Sequence, residues 1–352
     1  MISEQFALID VVERMCADKK IGFAPIRVAG DIMKEDVKLL TLDHTVKAFI
    51  NFMKAHKVRH APLIDFLDEA RREPSFIGVV SERDVLRLKP MGKDSEDEEI
   101  NPKAMRQLLQ QIVARNPRSA SPDTPVPDVI STMINNHIDM LPVMVDEKLA
   151  GIITTTDIIK IYTKLDNAIS SICPELQEHP QYTSGSGAES ALFSWALKII
   201  GEIMTRDVVC LDSTNTLADA IDVMRHNKFR HIPVLDEEAK PAGIISDRDI
   251  LRQLPFAGRR PPSESAKFRA HLFKVDPDTP QLQLGVTEFM TCKVKLLGPD
   301  CRICDAATTL RSIKIGCLPV VDRQQKILGI VTITDFMRAL LSAYEPTCQP
   351  QP

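Results

Sequence analysis

HIPVLDEEAKPAGIISDRDI, residues 231–250, reads as two strands and the start of a helix. The β-branched run around Pro233 suits a strand, DEEAK is a polar turn, and a second apolar run opens on Gly243. Ser246 stands three residues before Asp249, in front of an apolar segment, which marks a helix N-terminus. The same phrase occurs three more times. Gly78, Gly151 and Gly329 each open an apolar run, with Ser81, Thr154 and Thr332 three residues on and Asp84, Asp157 and Asp335 six residues on.

Upstream the repetition holds without a gap. Apolar pairs Ile32-Met33, Ile112-Val113, Ile203-Met204 and Phe289-Met290 each precede a proline, Pro62, Pro142, Pro233 or Pro319, by 29 residues counted from the second member. Thirteen residues past the same anchor stand Val46, Val126, Leu217 and Ile303, which open segments with apolar residues at spacings of three and four. That period predicts a helix with one buried face. The interval from proline to glycine is 16 residues in the first copy, 9 in the second and 10 in the other two, so insertion is confined to one loop, DFLDEARREPS in the first copy. Four βαββα repeats of this kind make an α+β chain, and self-similarity at this length marks repeated supersecondary units.

The intervening segments give the expected division. An N-terminal helical extension covers 1–27, and the repeats cover 28–90, 105–165, 199–254 and 284–343. An acidic linker with KDSEDEEINP covers 91–104, and a linker with YTSGSGAES covers 166–198 and divides the chain into halves. A Pro-rich linker with AGRRPPSES covers 255–283, and 344–352 is a tail.

Bulk composition narrows the function classes. The 352 residues are 44% hydrophobic and 26% charged, with a net charge of −4 and a pI of about 6.1, which leaves no overall basic footprint for nucleic acid. Glu4, Asp10 and Glu13 interrupt the apolar N-terminal pattern, against a signal peptide or membrane span, so a cytoplasmic protein is expected. The eight cysteines follow no regular framework, and reduced thiols are expected. Cys301 and Cys304 form a CxxC, but a second ligand pair is missing and Cys304 falls where the other repeats place helix residues; no metal is expected.

The βαββα grammar, with its proline strand and its Gly-apolar-apolar-Ser/Thr-x-x-Asp block four times over, resembles the cystathionine-β-synthase (CBS) domain over roughly three quarters of the chain. The resemblance implies that the repeats pair into two tandem Bateman modules, about 28–165 and 200–343, each with a cleft that in many such modules binds adenosine-containing ligands. It also implies association into flat discs, either by packing of the two halves on each other or as a homodimer.

Residue chemistry supports such a ligand. A Ser or Thr hydroxyl and free backbone N–H groups at a helix start favour an anion, and an aspartate one turn on can accept from vicinal ribose hydroxyls. The candidates are Ser81 with Asp84, Thr154 with Asp157, Ser246 with Asp249 and Thr332 with Asp335. The same spacing is also a capping box that merely satisfies helix-end donors. Arg59, His60 and Arg83 in the first repeat, and Arg230, His231 and Arg248 in the third, can pair with phosphate oxygens. In the second and fourth repeats Asp139-Met140 and Gly316-Cys317 replace the Arg-His pair, and Thr156 and Thr334 replace the second arginine. The first and third repeats are therefore expected to supply most phosphate contacts, and the second and fourth to close the cleft or stay empty. The alternative for these basic residues is a solvated surface. Arg87, Lys160, Arg252 and Arg338, three residues after each aspartate, are expected to ion-pair with it.

No catalytic motif is present; Asp219, Asp222, His226 and His231 are explained by repeat positions as helix surface and strand ends. The expected function is a regulatory sensor of an adenine nucleotide, AMP, ADP or ATP, that signals occupancy to a regulated protein. S-adenosylmethionine and a cyclic dinucleotide are further candidates. A ligand-free scaffold and a nucleotide-processing enzyme are the alternatives from other classes.

Overall fold

The computed structural model describes residues 7–65, 74–86, 106–174, 192, 194–253 and 278–345. Arg87, the three linker motifs and most of the first-repeat insertion lie outside the described residues. Among the described residues no helix is long and apolar enough to cross a membrane.

Each repeat begins its first helix at the residue the periodicity indicates: Val46–His56, Val126–Asn136, Leu217–Asn227 and Ile303–Ile313. Each of these helices ends on a residue in the left-handed region, Lys57, His137, Lys228 or Lys314, with φ between 52° and 59°. That reversal returns the chain as the proline strand. The proline strand then pairs antiparallel with the glycine strand: His60–Asp65 with Ser75–Ser81, Met140–Val145 with Lys148–Thr154, His231–Leu235 with Pro241–Ser246, and Cys317–Val321 with Ile327–Thr332. A second helix follows, the longest being Thr155–Ile172. It runs past the boundary expected at 165, because Leu165, Ala168, Ile169 and Ile172 continue its buried face.

Repeats pair by exchange. The backbone just after the apolar anchor of one repeat lies beside the glycine strand of its partner. Lys34 and Ile152 exchange N–H···O bonds of 2.9 and 3.0 Å, Thr205 and Ile330 two of 2.9 Å, and Thr291 and Ile244 bonds of 2.9 and 3.1 Å. In the first module Ala114–Arg115 also pairs with Val79 and Gly78. This explains the repeated glycine. A Cβ at Gly151 would stand 2.8 Å from Lys34 O and 2.9 Å from Met33 Sδ, and one at Gly329 2.7 Å from Met204 Sδ. Gly78 meets Val113 and Ala114, and Gly243 meets Met290, in the same way. Anchor and glycine, read from sequence as two separate marks, are one contact between paired repeats.

The two modules face each other, and they do so unequally. Repeats 2 and 4 share one continuous apolar core with the N-terminal helix Leu8–Asp18 and Trp195. Its centre is Tyr162, stacked on Trp195 at 5.3 Å, edge-on to Phe336 at 5.5 Å, and donating its hydroxyl to Phe336 O at 2.6 Å. Repeats 1 and 3 keep separate cores, with Leu86 of repeat 1 reaching the core of repeat 3.

Gly151→Ala is expected to lower unfolding free energy by about 1–3 kcal/mol through overpacking against Met33 and the Lys34 carbonyl. Gly22→Ala and Gly298→Ala, whose Cβ positions have no neighbour within 4 Å, are expected to change it by less than about 0.5 kcal/mol. Urea titration of the three variants checks the contrast.

Candidate functional site

Helix ends of all four repeats converge on a cavity of about 590 Å³ at the junction of the modules. Eleven lysines and arginines line it against four aspartates, in a chain whose net charge is −4. The four left-handed caps, Lys57, His137, Lys228 and Lys314, all reach its wall. Each stands five residues before its proline, a regularity legible in the sequence. Basic groups at helix C-termini are favoured by the negative end of the dipole, so backbone electrostatics helps hold them there.

The candidate residues separate into two groups. Arg59, His60, Arg83, Thr154, Arg230, His231, Arg248, Thr332 and Asp335 line the cavity. Ser81, Asp84, Asp157, Ser246 and Asp249 do not. All four Ser/Thr–Asp pairs form the helix-start box: the aspartate Oδ2 accepts from the backbone N–H of Ser81, Thr154, Ser246 and Thr332 at 2.9, 3.0, 2.8 and 2.8 Å, and from each hydroxyl. Oδ1 of Asp157 is bound by Lys160 at 2.8 Å and Lys34 at 3.1 Å, and Oδ1 of Asp249 by Arg252 at 2.8 Å. Asp335 differs, with Arg338 at 3.8 Å. Burial raises the Asp335 carboxyl above its ordinary range, whereas Lys160, Thr154 and Lys34 hold Asp157 below it against its own burial.

Arg83, Arg230 and Arg248 are not a solvated surface, whereas Arg59 is exposed. Arg83 donates to Asp139 at 2.6 Å and, from Nε, to Asp247 at 2.8 Å; Arg230 donates to Asp139 at 3.1 Å. Arg248 Nε lies 3.1 Å from Glu82, which Arg252 also approaches at 3.4 Å. Glu82-Arg83 and Asp247-Arg248 occupy the same repeat positions, so repeats 1 and 3 exchange arginine for carboxylate across their interface. Arg83 and Arg248, expected to pair with phosphate, thus have carboxylate partners across this interface while also lining the cavity. Repeats 2 and 4 carry Thr155-Thr156 and Ile333-Thr334 at those positions because their interface is apolar. Asp139, Asp247 and Glu82 were missed in sequence, since nothing local indicates which repeats face each other.

Repeats 2 and 4 reach the cavity as well. Each presents a slot that opens on the cavity: Lys34, Val37 and Lys38 against Ile152 and Thr154, and Thr205, Val208 and Val209 against Ile330 and Thr332. The basic groups of repeats 1 and 3 reach the same space from the opposite wall. Arg59 is held there by a 2.8 Å bond from Nη2 to Lys314 O, and Lys314 Nζ donates to Lys57 O at 3.1 Å. His231 packs against Gly316, where a Cβ would come within 2.7 Å of Nε2.

Burial holds both histidines neutral. It is the largest cause lowering His60 to about 4 and His231 to about 3; Arg83 and Arg248 push both further down, and Asp139 and Asp247 oppose. Burial would raise the Asp139 carboxyl, but Arg230 and Arg83 hold it well below the ordinary range. Below pH 6.5 the unfolded chain protonates both histidines while the folded chain does not, so the unfolded state binds more protons and stability falls with pH. Unfolding free energy is expected to drop between pH 6.5 and about 4 at about 1.4 kcal/mol per pH unit for each histidine. The loss from lowered Asp139 and Asp247 begins only below about pH 4. Denaturant titrations across pH, on the wild type and on His60→Gln with His231→Gln, check this; the double variant is expected to be flatter.

The family model for the CBS domain matches residues 29–90, 109–164, 200–255 and 286–342. Protein MJ1225 of Methanocaldococcus jannaschii is 28% identical over 228 residues, spanning 65% of this chain and 69% of that protein. MJ1426 of the same organism is 32% identical over 158 residues, spanning 41% and 92%. The crystal structure of MJ1225 covers 89% of this chain and 99% of its own, with a TM-score of 0.58 at 20% identity, and so shares the fold. Four matched repeats, spread over well over half of the residues and paired as described above, make this chain a member of the CBS domain family.

Proposed function

We propose that the chain is a regulatory sensor of adenine nucleotides, with AMP, ADP or ATP held in the slots of repeats 2 and 4 and their phosphates in the central cavity. The observation that carries this reading is the excess of eleven cationic over four acidic side chains around one cavity in a net-negative protein. Such a space attracts a polyanion over distances comparable to the Debye length and binds it where water is scarce. In the repeat-4 slot Val208, Val209 and Ile330 offer apolar walls for a base, and Asp335, the one box aspartate in the cavity wall, with Arg338 3.8 Å from its Oδ1, is placed to accept from ribose hydroxyls. Arg59 and the neutral imidazoles of His60 and His231 face the phosphate side.

Signalling follows from where the cavity lies. All four repeats contribute to its wall, so an occupant touches both modules and shifts their relative arrangement by its differential affinity for the alternatives. The seam between repeats 1 and 3 is the responsive one, because its ion pairs involve the same arginines the ligand would meet. A regulated protein would read that change. The face that a homodimer could supply in trans is supplied here by the second module of the same chain.

A contact-only scaffold is the second reading, favoured by one observation: Arg83, Arg230 and Arg248 already have carboxylate partners. Thermal unfolding with ligands separates the two. AMP or ATP at 100 times its Kd is expected to stabilise by about 2.7 kcal/mol, and adenosine far less. Asp335→Asn, which keeps a cap acceptor, is expected to weaken AMP binding about tenfold. No stabilisation by AMP, ADP, ATP, S-adenosylmethionine or a cyclic dinucleotide would leave the scaffold.

A further inference from the structure

We propose that Asp139 is an internal anion that occupies the phosphate position of the cavity in the unliganded protein and sets how much negative charge a ligand must carry to displace it. The inference rests on the reading of the cavity as an anion site.

Asp139 is the one residue in its repeat register with an acid: Arg59 and Arg230 stand at that position in repeats 1 and 3, and Gly316 in repeat 4. Its carboxylate lies in the cavity wall between a guanidinium of repeat 1, Arg83 at 2.6 Å, and one of repeat 3, Arg230 at 3.1 Å. Two converging guanidinium groups are the geometry that receives a phosphate. The other lining acids do not do this. Asp36 and Asp207 are exposed, and Asp335 caps its helix. Asp247, the second partner of Arg83, is buried behind the wall and does not line the cavity. A phosphate that enters between Arg83 and Arg230 must replace Asp139 while Asp247 keeps Arg83 in place. Releasing Asp139 breaks its contact with Arg230, between repeat 2 and repeat 3, which ties occupancy to the arrangement of the modules.

Inorganic pyrophosphate and ATP, titrated calorimetrically into wild type, Asp139→Asn and Asp139→Glu, test this. Asp139→Asn is expected to bind pyrophosphate at least about tenfold more tightly than wild type, and Asp139→Glu, which retains the competing charge, about as tightly as wild type. Binding to Asp139→Asn that is unchanged or weaker, with ATP still bound by wild type, overturns the inference and leaves the nucleotide reading intact. If ATP, AMP and pyrophosphate all fail to bind wild type, the nucleotide reading falls and this inference with it. Should Asp139→Asn not fold, the guanidinium ¹⁵N–H signals of wild type give the second measurement. Pyrophosphate is expected to shift those of Arg230 and leave the Arg83 Nε–H bond to Asp247; an unmoved Arg230 at saturation overturns the inference.

Discussion

The packing of Thr155–Ile172 against Ile303–Ile313 and Ile333–Leu341 is the constraint on which the remainder depends. Tyr162, Phe336, Leu165 and Leu340 are wholly buried there, and burying side chains of that size contributes about 1.5–3 kcal/mol each. Once repeats 2 and 4 are joined in this way, pseudo-symmetry brings the second helices of repeats 1 and 3 together on the other side. There Arg83 meets Asp247 and Arg248 meets Glu82, so this seam is ionic. The two modules therefore meet through one apolar seam and one ionic seam.

The ionic seam also explains why the cavity can be so basic without flying apart. Burying Arg83 without a carboxylate is costly, and loss of one partner from a buried pair costs about 3–5 kcal/mol. Asp139, Asp247 and Glu82 supply the compensation from three different repeats. The neutral state of His60 and His231 follows first from their burial, and the neighbouring arginines add to it. A polyanion bound as proposed would relieve the crowding of these arginines, which would link its binding both to protons and to the seam.

Much of this was legible in the sequence, and what was not has a physical reason. Helix starts at Val46, Val126, Leu217 and Ile303, the proline strands and the glycine strands follow from local periodicity and steric rules, which one repeat carries within itself. The pairing of repeats was also implicit, because Gly151 has no reason to be glycine until Met33 lies on it. The ion pairs of Arg83 and Arg248 were not legible, because their partners, Asp247 and Glu82, lie more than 160 residues away in sequence. Asp139 stands in the sequence where repeats 1 and 3 carry arginine, and it is the carboxylate to which two arginines point. The difference between odd and even repeats was visible; that it reflects which repeats face each other, in addition to what they bind, required the fold.

The account is tested most directly by the position of phosphorus atoms in a crystal structure of the protein grown with AMP. It predicts phosphate in the central cavity, within hydrogen-bond reach of Arg59, Arg230 or His231, and the ribose of the repeat-4 nucleotide on Asp335. AMP seated instead at Ser81 and Asp84 or at Ser246 and Asp249, with its phosphate outside the cavity, would contradict it.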